Sequence, residues 1–277
     1  MAITAQDVNK LRQTTGAGMM DCKKALTEAN GEMEMAIDIL RKQGQKIASK
    51  RADNETSEGA VLTQVSADGT NGKVIALACE TEPVSKVEDF KNLAKTILDT
   101  AVKTNAATKE ELLAAPQADG RSLNDHITDL MGKIGEKLDV VAYESINADR
   151  VVAYNHSNGK LGVLVGLKNV NGADVEEVGK DVAMQIAAMK PIAVDKDGVD
   201  AATVSREIEI GKEQARAEGK PEEMLEKIAQ GKLNKFYKEN TLLNQEFVKD
   251  SSLSIAQLLD KTSKGMTVSE FKRVAIG

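Results

Sequence analysis

A chain of 277 residues with 41% hydrophobic content is long enough for two or three domains, yet aromatics are only 3% with no Trp, so its cores must be aliphatic and methionine-filled. The formal charge of −6 argues against a primary duplex-binding role, and no apolar run reaches membrane length. Met1 to Lys10 holds no signal-peptide apolar segment, and two cysteines, Cys22 and Cys79, fit a reducing cytoplasm better than a disulfide framework.

Residues 1–44 read as a unit of three short helices. Thr4 can cap the first, with Val8 and Leu11 facing inward. The second carries Cys22, Ala25, Leu26 and Ala29, and the third Met33, Ala36, Ile37 and Leu40. Both stripes have i, i+3, i+4, i+7 spacing, with Asn30-Gly31 and Gly44 as stops. A unit of about 40 residues lies near the lower limit for an independent core, so some apolar surface should stay outside. Met19-Met20 is that surface: one methionine is expected to plug the core and the other to project as an adaptable contact. Residues 45–57 read as a polar linker.

A first half-domain is expected over residues 58–140. Val74 to Cys79 has the length and composition of a buried strand, broken at Glu80-Thr81-Glu82-Pro83 because Pro83 cannot donate to a ladder. An acidic, proline-containing turn at a sheet edge comes next, then a helical stripe of Phe90, Leu93, Ala94, Ile97, Leu98 and Ala101. A second helix covers Leu123 to Lys137, and Asp139 to Glu144 alternates like a strand leading into the next half.

The plan then repeats. Asn158-Gly159-Lys160 and the apolar run behind it match Asn71-Gly72-Lys73 and its run at an offset of 87 residues, from Gly72 to Gly159. The second half covers residues 141–200 and 234–277, interrupted by an insertion at 201–233. There Val204, Ile208, Gly211 and Ala215 form a heptad-like seam, Gly219-Lys220-Pro221 turns the chain, and a return helix carries Met224, Leu225 and Ile228. This seam can be filled by its own two helices or by a second subunit; both remain open. A short helix at Ser254 to Leu259 and a last strand at Phe271 to Ile276 close the chain. The fold class is α+β.

No catalytic constellation stands out. His126 and His156 are the only imidazoles, and the positions of Cys79 and Cys22 suit small buried hydrophobes. Glu80 and Glu82 would share a face of an extended strand, but with no third ligand nearby they make no metal site. Gly16-Ala17-Gly18 lacks the preceding strand and the Gly-Lys-Ser/Thr of a phosphate loop, so no cofactor is expected.

One stretch is specific. Leu11-Arg12-Gln13-Thr14-Thr15-Gly16-Ala17-Gly18-Met19-Met20-Asp21-Cys22-Lys23-Lys24-Ala25-Leu26 resembles the N-terminal signature of the elongation factor Ts family. The resemblance continues through Cys79-Glu80-Thr81, Lys133-Ile134-Gly135-Glu136, Gly219-Lys220-Pro221 and Gln245-Glu246-Phe247-Val248. It implies a non-catalytic guanine nucleotide exchange factor that binds elongation factor Tu, GDP-bound and nucleotide-free, with no direct contact to nucleic acid or membrane.

It also implies a ubiquitin-associated-like N-terminal module, a two-half antiparallel sheet-plus-helix core, and a coiled-coil dimerisation hairpin giving a homodimer or a two-plus-two complex. Implied partner contacts are Arg12, Met19, Met20, Thr81, Glu82, Pro83, Val84, Ile134, Gly135, His156, Phe247, Val248 and Lys249. In the family the protruding turn reads Thr-Asp-Phe-Val; Thr81-Glu82-Pro83-Val84 keeps the charge on a longer arm and replaces the ring by a smaller apolar group. The further C-terminal helix of many relatives is not expected here. Two other readings compete: an adaptor whose three-helix unit binds a partner, and an enzyme using Cys79.

Overall fold

The computed structural model describes residues 3–277. Three helices open the chain: α1 (Ala5–Thr15), α2 (Met19–Glu28) and α3 (Met33–Lys50). Thr4 caps α1 in a reciprocal box with Asp7. Val8, Leu11, Cys22, Ala25, Leu26 and Ala36 form a small core, as their spacing requires. Neither methionine joins it: Met19 is 57% and Met20 63% exposed, because both stand on the first turn of α2, ahead of the inward stripe that begins at Cys22.

Next come β1 (Glu58–Val65), β2 (Asn71–Cys79), α4 (Glu82–Lys86), α5 (Glu88–Thr104), α6 (Lys109–Ala114), α7 (Leu123–Ile134) and β3 (Leu138–Asn147). Strand β2 lies between β1 and β3 in an antiparallel sheet, and β3 stays paired to β2 as far as Asn147. The first sheet thus runs seven residues past the expected boundary at 140. The acidic turn is the start of a helix, with Pro83 in the first turn of α4, where its missing N–H costs nothing.

Nor does α3 stop at Gly44. It continues to Lys50, into the expected linker, because Gly44 lies backbone to backbone on Gly132 of α7. A Cβ on Gly132 would stand 2.8 Å from the Gly44 Cα. Glycine inside a helix costs about 1 kcal/mol relative to alanine, and the packing of α3 on α7 offsets it here.

The second half holds β4 (Arg150–Asn155), β5 (Leu161–Lys168), α8 (Glu176–Met189), α9 (Ala201–Ala217), α10 (Glu222–Asn240), β6 (Glu246–Phe247), β7 (Asp250–Ser254), α11 (Ile255–Thr262) and β8 (Thr267–Ala275). Its main sheet has the order β4-β5-β8, antiparallel throughout. Helices α9 and α10 pack on each other through a narrow seam: Gly211, Ala215, Leu225, Ala229 and Leu233 are all buried. Lys212–Glu226 at 2.7 Å and Arg216–Glu222 at 2.8 Å bridge the pair.

Each sheet has a helical face and a sheet face. Ile75 and Leu77 pack with Phe90, Ile97 and Ile127, while Val163 and Val165 pack with Val182, Ile186 and Leu259. The alternate residues Val74, Ala76 and Ala78 meet Val151, Leu164 and Val274 between the sheets. Four layers result, helix on sheet on sheet on helix. Strand β2 is covered on both faces, which is why it reads as a continuous apolar run rather than an alternating one.

Its repeat is real, but the offset is 90 residues. The Val61 N–H donates to the Gly159 carbonyl at 2.8 Å and the Val151 N–H to the Gly69 carbonyl at 2.7 Å, so 61 pairs with 151 and 69 with 159. Bulges at Ala76/Leu77 and Gly166/Leu167 keep the same spacing. Asn-Gly-Lys misleads because Gly159 (φ +71°) is a turn glycine whose counterpart is Gly69 (φ +74°), whereas Gly72 lies in a strand and corresponds to Gly162. An odd error of this kind would turn every strand side chain to the wrong face.

A Cβ on Gly72 would stand 2.6 Å from Val151 Cγ1, and one on Gly162 2.8 Å from Val61 Cγ1. Gly72→Ala should therefore destabilise the chain by about 1–3 kcal/mol through overpacking. Adding Val151→Ala should recover part of that loss, measured by thermal unfolding of the single and double variants.

Candidate functional site

At the end of β2 the backbone is pinned on both sides. The Glu80 carboxylate accepts from Arg51 Nη1 at 2.9 and 2.7 Å, from Asn54 Nδ2 at 2.9 Å and from the Lys137 N–H at 2.6 Å. Burial opposes its charge, but the Lys137 N–H, Arg51 and Asn54 outweigh that cost and hold the carboxyl below the usual glutamate range. It is an anchor, not a metal ligand. Next along, the Thr81 N–H and hydroxyl donate to the Glu136 carboxylate at 3.1 and 2.7 Å.

These bonds hold the start of α4 out toward solvent. Thr81, Glu82 and Pro83 are exposed, and among the described residues the ion pair of Glu82 is the loose 3.8 Å contact with Lys86 one turn on. Val84, named above with these exposed residues, is only 9% exposed and belongs to the core under the first sheet, so it anchors the segment. Thr81 grips Glu136, the residue after Gly135, which ties the end of α7 to the start of α4; Ile134 packs on that core.

The other expected residues lie elsewhere. Arg12, Met19 and Met20 are exposed on the N-terminal unit. Between this unit and the first half runs a crevice of about 490 Å³, lined by Thr14, Arg41, Arg121, His126 and Lys133 among others. Its cations lie beside carboxylates: Arg121 with Asp129 at 2.7 Å, Lys133 with Asp89 at 2.6 Å and Arg41 with Asp38 at 3.6 Å, while His126 Nε2 is 3.2 Å from Asp119. It is a seam between two packed units.

In the second half His156 stands on the exposed β4–β5 turn, Nδ1 2.9 Å from the Tyr154 hydroxyl. Phe247 is buried in the core below α8, where it supports the segment carrying Val248. Val248 is 54% exposed, its N–H donating to Gln185 Oε1 at 3.0 Å, and Lys249 reaches Asp181 at 2.6 Å. Gln185 is fully buried, and its amide also donates to the Glu246 carbonyl at 3.1 Å. One polar side chain on a buried helical stripe was a readable signal for Gln185. Glu80, Arg51 and Glu136 carried no such signal, since their partners are distant in sequence.

Among the described residues, no three His, Cys, Asp or Glu side chains gather into a metal-holding group, and no helix is long and apolar enough to cross a membrane. Cys79 is fully buried and its thiol is pushed up to about 11 by burial, helped by Glu136 and Glu58; burial likewise raises Cys22. Neither is a thiolate at neutral pH, which removes the physical basis for a cysteine nucleophile. Both should resist iodoacetamide at pH 8 in the folded chain and react at ordinary rates after unfolding in urea, counted by intact mass.

A family model described as Elongation factor TS matches residues 80–277. The chain is 67% identical over 274 residues to an Elongation factor Ts of Cytophaga hutchinsonii, covering 99% of each. It is 55% identical over 277 residues to that of Amoebophilus asiaticus, covering 100% of each. It is 43% identical over 283 residues to that of Clostridium acetobutylicum, covering 99% of this chain and 92% of the relative.

Proposed function

The chain belongs to the elongation factor Ts family, and from that premise we propose that it is a guanine nucleotide exchange factor acting on elongation factor Tu in translation elongation. It performs no bond chemistry of its own. A GTPase holds nucleotide through its phosphates and Mg²⁺, and release quickens when a partner binds the empty form better than the filled one. Thousandfold acceleration requires about 4 kcal/mol of such preference.

The observation that carries this reading is the exposed Glu82–Pro83 pair on a backbone pinned from behind by Glu80, Thr81 and Val84. A pair held this way can push into the partner without yielding. Glu82 brings negative charge toward the Mg²⁺ and phosphate site, and Pro83 brings a stiff apolar knob. The three-helix unit acts as the ubiquitin-associated-like module, docking on a GTPase helix through Arg12, Met19 and Met20. Val248 and Lys249 are the second half's contact, and His156 belongs to the same half's hairpin.

The hairpin of α9 and α10 is proposed as the family's coiled-coil module, serving a homodimer or a two-plus-two complex, and the cytoplasm as the site of action. The domain limits we propose are 1–50 for the helical unit, 51–57 for a short connector, 58–147 for the first half, 148–200 with 241–277 for the second, and 201–240 for the hairpin.

Fluorescent-GDP release from elongation factor Tu tests the proposal. The chain should accelerate release, and Glu82→Ala and Pro83→Ala should each lower the maximal rate about tenfold, equivalent to about 1.4 kcal/mol of lost differential binding. Unchanged rates in both variants would remove the wedge assignment; no acceleration by the parent chain would end the exchange reading.

A further inference from the structure

Helix α3 packs along α7 of the first half, closest where Gly44 lies backbone to backbone on Gly132 and beside the Thr128 carbonyl. A second tie lies at its end, where Arg51, whose N–H still bonds the Ile47 carbonyl of the last helical turn, forms the two-pronged pair with Glu80. Seven residues of helix separate Gly44 from it, roughly 10 Å along the axis at 1.5 Å per residue. The grip on the helix end adds a polar constraint to that packing and limits how far the helix can tilt on α7.

We infer that Glu80 is a positioning residue for nucleotide exchange, its carboxylate locking the end of α3 to the strand end that carries Glu82 and Pro83, so that the two partner-binding regions present themselves at one set angle. This rests on the exchange reading and extends it. The grip is drawn from several directions: Arg51, Asn54 and the Lys137 N–H converge on one carboxylate, while Lys137 Nζ closes the loop by donating to the Ala52 carbonyl at 2.6 Å and the Asn54 carbonyl at 3.0 Å. The Glu80 side chain is 16% exposed and the Arg51 side chain 38%, so the carboxylate is the sheltered partner and the guanidinium the open one. Glu80 is also bonded neighbour to Thr81, so no flexible residue intervenes between the lock and the displayed pair.

Two contact regions on one body bind as a single ligand, with the second contact made at high effective concentration. Releasing the lock leaves each region intact but lets their relative angle wander. The cost should fall on the concentration of chain needed, not on the rate once bound. Because the carboxyl is held below its ordinary value of 4.5, the lock is ionised and closed at neutral pH, and its stabilisation is lost as pH falls below 4.5 through the lower folded value.

The experiment uses the full chain with Glu80→Ala, Arg51→Ala and the double variant. Fluorescent-GDP release is followed against chain concentration, beside thermal unfolding and amide exchange of the free chain. Each single variant should raise the half-saturating concentration on the order of tenfold, a modest fraction of the gain that linkage can give, and Arg51→Ala, which leaves the Lys137 N–H bond to Glu80 in place, should keep the maximal rate nearly unchanged. The double variant should be no worse than the singles, since both cut one link. Arg51→Lys should recover part of the loss, and amides of residues 45–54 should exchange faster in Glu80→Ala.

Wild-type half-saturation in both single variants, additive losses in the double, or a fall confined to the maximal rate would overturn the inference. Should Glu80→Ala fail to fold, Arg51→Ala, which removes a more exposed side chain, decides by the same criteria. Should the parent chain not stimulate release, the exchange reading fails by itself, and amide exchange over 45–54 judges the lock: faster exchange in the variants upholds it, unchanged exchange refutes it.

Discussion

The meeting of the two sheets governs this structure. Gly72 and Gly162 leave room for Val151 and Val61 of the opposite sheet, and two reciprocal N–H to carbonyl bonds, Val61 to Gly159 and Val151 to Gly69, fasten each hairpin turn to the other hairpin's outer strand. With the sheets this close, small residues such as Ala76 and Ala78 suffice on the inner faces beside Ile146, Val151 and Leu164. An interior almost without aromatics is then adequately filled.

The same arrangement presents the proposed functional segment. Strand β2 is central in its sheet and buried on both faces, so its end is among the better-fixed points of the molecule. Everything displayed there is held from behind: Glu80 by three partners, Thr81 by Glu136, Val84 by the core. The contact region of the second half obeys a comparable logic with different parts, since the buried Gln185 amide holds the backbone that projects Val248. Rigid supports let a small exposed pair act on a partner without spending binding energy on its own ordering.

Much of this was legible in the residues. The 3.6-residue stripes of α1, α2 and α5 fall where the buried side chains are, because periodicity reports burial directly. The duplication was visible but misregistered, since the matching Asn-Gly-Lys triplets occupy a strand in one half and a turn in the other. Helix α3 runs on through Gly44, where glycine looks like a stop until Gly132 supplies a reason for it. Of the site, the exposure of Glu82 and Pro83 could be anticipated. Val84 and Phe247 turned inward because tertiary packing claimed them, and the network around Glu80 joins residues 29 and 57 positions away, beyond the reach of any local pattern.

Reciprocal fastening of the turns has a consequence for how the molecule comes apart. Neither hairpin satisfies its own backbone completely: Val61 needs the carbonyl of Gly159, and Val151 that of Gly69. If one half melted, it would strip the other of a hydrogen-bond partner and uncover the apolar layer they share. The two halves, though each owns a separate helical core, are thereby bound into one cooperative transition, and a lesion in either is felt by both.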